Sequence, residues 1–299
     1  MSKYDITILT DHRYVNPEII DNYIQNVLDE DRLLKEALEK DELKVHRTNW
    51  DNPYFDWSST SYILFRTTWD YFERFDEFSA WLREVSNKTQ LINQKELIYW
   101  NIDKHYLKDL SDQGIRIPKT TFIEAGDPAS LKDYIACCGW EEFILKPAVS
   151  GGARHTYRFE KADYEQHSAI FKELIKVEAL MLQEYQNKIT SKGEVAFMIF
   201  GGKYSHAVLK KAKPGDFRVQ DDFGGSLHDY NPSNEEIEFA EKVISVCDPI
   251  PVYARVDVIW DNEDQLCVGE IELIEPELWF RRENTSAKRC ADAILDYIS

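Results

Sequence analysis

The sequence is poor in cysteine and contains no long apolar run. Five cysteines occur among 299 residues, and Cys137 and Cys138 are adjacent, so neither a CxxC metal pattern nor a disulfide framework is present. No apolar stretch approaches the length of a membrane span. The first residues are typical of a strand followed by a polar turn rather than of a signal peptide. We therefore expect a cytoplasmic protein without a membrane partner.

Basic residues are also scarce. The chain has 36 Lys and Arg against 54 Asp and Glu, and its formal net charge is −18. A nucleic-acid-binding protein needs a basic face that displaces counterions, and an anionic membrane surface attracts basic segments. The composition therefore disfavours both partners. Lysines and arginines grouped in one place would serve an anionic substrate.

Several common motifs are missing. The sequence has no Walker A motif and no GxGxxG fingerprint, which narrows the ways in which it could bind a nucleotide. Its seven histidines show neither HExxH nor any other metal-ligand spacing. No Ser/His/Asp or Cys/His signature emerges, although such triads form in space and sequence cannot exclude one.

The pattern of apolar residues predicts an α/β protein built from three units. The first part alternates strands such as Tyr4–Thr10 with helices, one of which has helical spacing from Ile19 and Ile20 onward, and this alternation indicates a parallel sheet. A second unit opens with a helix predicted over Asn101–Gln113. The last part is rich in strands that look antiparallel. We place the units at residues 1–93, 94–185 and 186–299.

Residues 142–153 form a strand that ends in Lys146 and continues into a loop of small residues. Such a loop lets backbone N–H groups approach phosphate oxygens, and Lys146 would stand beside them as a point charge. An ordinary hairpin turn with a surface lysine explains this segment equally well.

A second group of candidates lies on two strands near the C-terminus. Alternate strand residues share a face, and the intervening residues 261–265 form a turn, so the two strands should pair as a hairpin with three carboxylates and one arginine on one face. Crowded carboxylates repel one another unless a cation joins them, and Mg²⁺ is the cation that fits best. A solvated acidic face is the alternative. The four candidates are Arg255, Asp257, Glu270 and Glu272.

Two further segments carry weaker signals. Residues 210–226 combine a basic cluster that begins at Lys210 with Arg218 and the pair Gly224 and Gly225, which suggests anion handling, although a mobile polar loop has the same composition. Residues 181–194 could supply an apolar slot for adenine and a carboxylate for a ribose, or could be a plain core strand.

These segments occur in the order seen in ATP-grasp enzymes. The chain resembles most the glutathione synthetase/RimK-like branch, especially the cycloserine-biosynthesis cyclo-ligase and its relatives, and the resemblance covers nearly the whole chain. The motifs that carry it are Trp50–Trp57, Arg66–Tyr71, Trp100–Lys104 and Tyr204–Lys210. It implies an N-terminal pre-ATP-grasp domain followed by a two-lobed ATP-grasp body.

The resemblance also implies roles for single residues. Lys104 and Lys146 look like the two lysines that hold the α- and β-phosphates of ATP. Arg255 is similar to the arginine that steadies the transferred phosphoryl group in D-alanine ligases. Arg218 lies in what resembles a substrate-side loop, and we count it with Lys210 as catalytic. The lid loop over the phosphates would be Ser150, Gly151, Gly152 and Ala153. The adenine hinge would be Glu184 and Tyr185, and the ribose-binding acid would be Glu194.

The same resemblance implies a metal site. Asp257, Glu270 and Glu272 look like the ligands of Mg²⁺, with Mn²⁺ as a substitute. RimK-like enzymes usually have Asn at the place of Glu272, although the cyclo-ligase group shares Glu, so the exact metal arrangement is open.

The implied activity is an ATP-dependent ligase that forms a carbon–nitrogen bond through an acyl phosphate and releases ADP. We expect a carboxylate and an amine of small amino-acid-like molecules as substrates. An intramolecular cyclo-ligase, a kinase on the same fold and a nucleotide-binding protein without catalysis are the alternatives. Relatives are often dimers or tetramers, so a homodimer or homotetramer is expected by analogy.

The residues that recognise the substrate are the least defined. We expect Arg66, Trp69 and Asp70 of the first unit to face the cleft, and Gly224 and Gly225 to belong to the substrate-side loop. A strand end followed by a helix start explains Arg66–Asp70 almost as well. No residue stands out as the general base that would deprotonate the amine.

Overall fold

The computed structural model describes residues 2–219 and 223–299. Within these residues, thirteen strands form three sheets. The strands are β1 Tyr4–Thr10, β2 Val45–Asn49, β3 Thr60–Thr67, β4 Gln90–Ile92, β5 Thr120–Ile123, β6 Glu142–Pro147, β7 Tyr157–Glu160, β8 Leu180–Glu184, β9 Glu194–Phe200, β10 Lys203–Lys211, β11 Ser226–Tyr230, β12 Tyr253–Trp260 and β13 Leu266–Glu272. The α-helices are α1 Asn22–Glu39, α2 Phe75–Val85, α3 Lys95–Asn101, α4 Tyr106–Asp112, α5 Leu131–Cys137, α6 Glu165–Leu174, α7 Ile189–Lys192, α8 Asn234–Ser245 and α9 Ser286–Ile298.

The first sheet has the order β2-β1-β3-β4, and all its neighbouring strands are parallel. The parallel N-terminal sheet predicted from the sequence is therefore confirmed. Helix α1 begins later than the apolar spacing predicts, because the side chain of Asp21 accepts a hydrogen bond from the Ile24 amide at 2.8 Å and caps the helix there. Ile19 and Ile20 consequently lie outside the helix and are exposed.

The second sheet, β5-β8-β6-β7, is antiparallel and carries α5 and α6. The helix predicted over Asn101–Gln113 is confirmed only in part, since α4 covers Tyr106–Asp112 and Asn101 is instead the last residue of α3. The chain leaves helical geometry between them, and the amide of Lys104 donates to the carbonyl of Ala148 at 2.9 Å. This break places Lys104 beside the end of β6.

The third sheet, β11-β10-β9-β12-β13, is also antiparallel. Strands β12 and β13 pair as the hairpin that the sequence predicts, with Arg255 opposite Glu272 and Asp257 opposite Glu270. Strand β11 was not predicted, because its residues are polar and mostly exposed at the edge of the sheet.

Apolar packing joins the sheets more closely than the chain order suggests. Buried side chains of the first sheet and α1 share one core with residues of β9, β10 and α9. Helices α3 and α4 share a core with β9, β12 and β13, to which Met181 and Phe122 of the second sheet also contribute. Each sheet falls inside one of the units at 1–93, 94–185 and 186–299, and this division stays a prediction. No helix of the described residues is long and apolar enough to cross a membrane.

Candidate active site

A cavity of about 250 Å³ lies where the second and third sheets face each other. Strand β6 and the loop after it form one wall, and β9, β10, β12 and β13 form the other. The predicted residues among its lining are Lys104, Lys146, Ser150, Gly151, Gly152, Ala153, Glu184, Tyr185, Glu194, Lys210, Arg218, Arg255, Asp257, Glu270 and Glu272. The structure thus brings together fifteen side chains or loop residues from distant parts of the sequence.

Two lysines enter this cavity from the second unit. The ammonium group of Lys104 lies 3.0 Å from Oε1 of Glu270 and donates to the carbonyl of Ser150 at 2.6 Å. Burial lowers the pKa of Lys146 to about 8, and the neighbouring charge of Lys104 adds to this shift while that of Glu270 opposes it. Two lysines held close together in a desolvated space create a site for an anion.

The loop after β6 passes over the same wall. Gly152 and Ala153 both have positive φ, which a β-branched residue would not adopt. Gly151 is packed so closely against the first unit that an added Cβ would lie 2.5 Å from Cε1 of Phe72. The hydroxyl of Ser150 donates to the carbonyl of Arg154 at 3.1 Å and closes the turn. The geometry therefore favours glycine at positions 151 and 152.

Asp257 is the centre of the opposite wall. Its carboxylate accepts two hydrogen bonds from Arg255, at 3.0 and 2.9 Å, and one from Lys210 at 2.9 Å. Burial would raise the pKa of Asp257, but Arg255 and Lys210 outweigh it and lower the pKa to about 2. The carboxylates of Asp257 and Glu194 outweigh the burial of Lys210 and raise its pKa. Asp257, Arg255 and Lys210 are consequently all charged at neutral pH.

Glu270 and Glu272 occupy the same face of β13 and are more accessible than Asp257. Their side chains are 33% and 25% exposed, whereas that of Asp257 is 3% exposed. Burial raises the pKa of Glu272 to about 7 despite its ion pair with Arg255. Lys104 and Lys146 outweigh burial at Glu270 and lower its pKa.

The three carboxylates do not form a ready-made metal cage. In the part of the chain that the structure describes, no group of three or more His, Cys, Asp or Glu side chains could hold a metal ion by itself. Asp257 is almost fully buried and is bonded to Arg255 and Lys210. Glu270 and Glu272 each contact a cation as well, but their greater exposure leaves them as the accessible oxygen donors. Mg²⁺ is commonly held by one or two carboxylates together with substrate phosphates, so these two residues fit it.

The predicted hinge and ribose-binding residues line the same cavity. Glu184 ends β8, where its carboxylate lies 3.2 Å from the ammonium group of Lys119. The ring of Tyr185 is covered by the guanidinium of Arg158 at 3.9 Å. Glu194, at the start of β9, forms an ion pair with Lys210, and burial raises its pKa.

The loop between β10 and β11 is only partly within the cavity. Arg218 lines it and is held by its neighbour Asp216 at 2.9 Å. Residues 220–222 of the predicted loop lie outside the described residues. Gly224 has a positive φ near Lys213, and Gly225 lines a shallow surface depression, so neither lines this cavity.

The expectation that Arg66 and Asp70 face the cleft is wrong. Arg66 is 1% exposed and forms an ion pair with Glu30 at 3.1 Å, because its strand is covered by α1. Asp70 is buried and accepts hydrogen bonds from the indole of Trp50 at 2.7 Å and from Arg74 at 2.9 Å. Both residues stabilise the first unit.

Trp69 does face a cavity, but a different one. This second cavity, of about 570 Å³, lies beside the first and shares with it a wall that includes Lys210, Arg255, Glu272 and Glu275. Sequence reasoning missed Glu275, although it follows the strand that carries Glu270 and Glu272 by only a few residues. It also missed Tyr71 and Trp279, whose aromatic side chains gave no signal distinct from core residues.

Comparison with known proteins defines the class. Over 97% of this chain and 98% of the other, the structure is similar to a RimK domain ATP-grasp protein from Sphaerobacter thermophilus DSM 20745, with a TM-score of 0.67 and 15% identity. The structure is also similar to that of the ATP-grasp ligase PsnB in a complex with a phosphomimetic variant of its minimal precursor, Mg and ADP. This match covers 100% of both chains, with a TM-score of 0.65 and 16% identity. The chain has the fold of the ATP-grasp ligases, as the order of motifs in the sequence predicts.

Within that class the chain is similar to the cycloserine biosynthesis protein DcsG of Streptomyces lavendulae. The two are 29% identical over 259 residues, which are 83% of this chain and 87% of the relative. The crystal structure of D-cycloserine synthetase DcsG has a TM-score of 0.85 and 26% identity, and the match covers 98% of this chain and 99% of that one. Residues 6–93 match the family model of the D-cycloserine synthetase DcsG N-terminal domain.

Proposed function

We propose that this ligase uses Mg·ATP to join the carboxylate of a small amino-acid-like substrate to an amine. The observation that carries the proposal is the wall shared by the two cavities, because it contains Lys210, Arg255 and Glu272. A nucleotide in the first cavity and a substrate in the second would meet at this wall. Phosphoryl transfer depends mainly on such positioning and on neutralised charge.

Residues of the first cavity suit a nucleoside triphosphate. Lys104 and Lys146 would bind phosphate oxygens as point charges, and the loop Ser150–Ala153 would cover them with backbone N–H groups. Glu184 and Tyr185 would border the adenine, and Glu194 would accept hydrogen bonds from ribose hydroxyls. These roles are supported by the position of each residue in the cavity lining.

Glu270 and Glu272 would hold the metal ion. Both carboxylates are partly exposed to the cavity, and Mg²⁺ prefers oxygen donors of this kind. When bound, the ion neutralises charge on the phosphates. Mn²⁺ accepts the same donors, and its use in place of Mg²⁺ stays a prediction.

The proposed reaction has two steps. A carboxylate oxygen of the substrate forms a bond to the γ-phosphorus while the bond to the ADP oxygen breaks, which yields an acyl phosphate. The amine nitrogen then forms a bond to the acyl carbon, inorganic phosphate leaves, and the amine proton is released. Arg255, fixed by Asp257, would steady the transferred group, and the loop over the phosphates would exclude water.

Ring closure within one molecule is the second candidate. Similarity to D-cycloserine synthetase favours it, since the whole chain superposes with a TM-score of 0.85 and the first unit matches that enzyme's N-terminal domain. The two candidates share every step up to the acyl phosphate and differ only in whether the amine belongs to the same molecule.

The oligomeric state is a separate question, and a homodimer or homotetramer stays a prediction.

The test is ADP release from Mg·ATP in the presence of pools of amino acids and O-substituted serines. We expect one pool to stimulate release, and the double variant Glu270→Ala/Glu272→Ala to abolish it. Glu235→Ala/Glu238→Ala, which removes two exposed carboxylates from α8, is the matched control and should keep the activity. Mass spectrometry of the products separates intermolecular joining from ring closure. Failure to bind Mg·ATP would contradict the proposal.

A further inference from the structure

The second cavity has aromatic walls. Trp69, Phe72 and Trp279 line it together with Tyr14 and Tyr23. The indole of Trp69 donates to the carbonyl of Glu275 at 2.9 Å, which fixes its ring against the segment after β13. Such rings offer large apolar faces, and their negative faces attract cations.

The cations that line this cavity are already neutralised. Arg13 is held by Asp11 at 2.6 Å, and Lys210 and Arg255 are held by Asp257, each at 2.9 Å. Arg154 is likewise paired with Glu178. The cavity therefore has no surplus of positive charge.

Glu275 is different from these paired groups. Its carboxyl group interacts with the neutral hydroxyl of Tyr71, and within the described residues no lysine or arginine lies at ion-pair distance from it. The nearest cationic influence is Lys104, which is itself bound to Glu270 at 3.0 Å. The second cavity thus contains a partly exposed carboxyl group without a cation.

A second buried group in this cavity also lacks a partner. Trp279 is 4% exposed, and its indole N–H has no acceptor among the described residues. Its φ of 46° lies in the left-handed region, which is strained for a bulky residue. Arg255 and Lys210 lie over its ring at 5.3 and 5.9 Å. This end of the cavity therefore suits a hydrogen-bond acceptor such as a carboxylate.

We propose that the second cavity binds an α-amino acid as a zwitterion, with the carboxylate of Glu275 receiving its ammonium group. This inference rests on the proposed ligase function, since the substrate's own carboxylate would then lie at the wall shared with the nucleotide. A short α-amino acid fits because Glu275 belongs to that wall, so both ends of the ligand lie near it.

Electrostatics supports this assignment. Burial, and then the charge of Glu272, raise the pKa of Glu275 to about 8, so its surroundings penalise the ionised form. A bound ammonium group offsets that penalty and gains a charge-assisted hydrogen bond. A substrate without the amine would leave the carboxyl group without its partner.

The test is calorimetric binding to the full chain saturated with Mg·AMP-PNP. The probes are D-serine and L-serine, each with glycerate of the same hand, in which a hydroxyl replaces the amine. The variant is Glu275→Gln, which keeps the shape of the side chain and its contact with Tyr71. Glu238→Gln, on the exposed face of α8, changes the net charge equally and is the control.

We expect the unaltered chain to bind one hand of serine about tenfold or more tightly than glycerate, as loss of a charge-assisted hydrogen bond predicts. Glu275→Gln should reduce serine affinity to the level of glycerate and leave glycerate and Mg·AMP-PNP affinity unchanged. Equal binding of serine and glycerate, equal binding of serine by variant and unaltered chain, or no serine binding would each overturn the proposal.

The outcome is separate from that of the ADP-release test, because it measures binding and not turnover. Serine binding that depends on Glu275 without any ADP release would support this site and contradict the ligase reaction. ADP release stimulated equally by amino acids and by their hydroxy counterparts would support the ligase reaction and contradict this site.

Discussion

Lys146 illustrates how a single residue acquires its chemistry from its surroundings. On β6 it is one lysine among many, but burial and the nearby charge of Lys104 lower its pKa to about 8. Glu270 limits this shift and holds Lys104 at 3.0 Å. The free site therefore contains a lysine whose charge depends on pH near the physiological range.

This residue predicts a pH dependence. In the proposed site the protonated form of Lys146 would bind phosphate, and because its pKa is about 8, the charged fraction falls as the pH rises through that value. We expect kcat/KM for ATP, which reports the free enzyme, to fall about tenfold for each pH unit well above 8. A series of initial rates between pH 6 and 10 measures it.

The control for this prediction is Lys146→Arg. An arginine stays protonated over the whole series, so the fall above pH 8 should disappear even if the overall rate is lower. A fall of the same size in the variant would assign the titration to another group.

At the scale of elements, β13 depends on a helix from another part of the chain. The side-chain amide of Asn101, at the end of α3, donates to the carbonyl of Ile271 at 2.9 Å and accepts from the amide of Leu273 at 2.7 Å. These bonds flank Glu272. Helix α3 therefore positions the strand that carries both candidate metal ligands.

Removal of this contact should affect both stability and the site. In Asn101→Ala the carbonyl of Ile271 and the amide of Leu273 lose their partner while buried, which costs about 2–3 kcal/mol of the free energy of unfolding. We also expect KM for ATP to rise. Urea denaturation followed by tryptophan fluorescence, together with initial rates, measures the two effects.

Asn87→Ala is the matched control, because Asn87 is exposed and, among the described residues, its side-chain amide donates only to the carbonyl of Arg83. Its stability should stay within about 0.5 kcal/mol of the unaltered chain. Equal effects of the two substitutions would show that the contacts of Asn101 do not matter.

At the scale of the whole molecule, a buried ion pair connects the first unit to the second cavity. Glu30 of α1 pairs with Arg66 at 3.1 Å and also accepts hydrogen bonds from the amides of Leu278 and Phe280. These amides flank Trp279. The first unit thus holds the segment that lines the second cavity.

Breaking this pair should destabilise the chain strongly. Arg66→Met leaves the buried carboxylate of Glu30 with only the more distant Arg281, at 3.8 Å, among the described cations. Removal of one partner of a buried pair typically costs about 3–5 kcal/mol, and Arg281 offsets part of that loss. Arg32→Met, which removes an exposed pair with Asp29 and Glu36 on α1, should cost under about 1 kcal/mol. Urea denaturation compares them, and similar losses would contradict the argument.

Much of the architecture followed from local patterns. Alternation along β12 and β13 depends only on strand geometry, so the hairpin and the shared face of Arg255 and Glu272 could be predicted and are confirmed. The order of motifs likewise predicted the ATP-grasp class. The start of α1 was misplaced because a single capping residue, Asp21, decided it.

Residues whose role depends on contacts distant in sequence could not be assigned in this way. Arg66 and Asp70 stand in a motif that resembles the family, but their partners Glu30 and Trp50 are brought to them only by packing of the first unit. Glu275 was missed for the same reason, since its isolation from cations is a property of the assembled cavity.

The sequence by itself determined every strand except β11, most helices and the types of residue that could bind phosphate and metal, because periodicity and side-chain chemistry are local. Only the tertiary structure decided which of these groups are charged, accessible or already paired. Asp257 and Glu270 are both carboxylates on strands of the same hairpin. Asp257 is enclosed by Arg255 and Lys210, whereas Glu270 remains partly exposed to the cavity. Burial and contacts between residues distant in sequence cause that difference, and neither can be read from the order of residues along one strand.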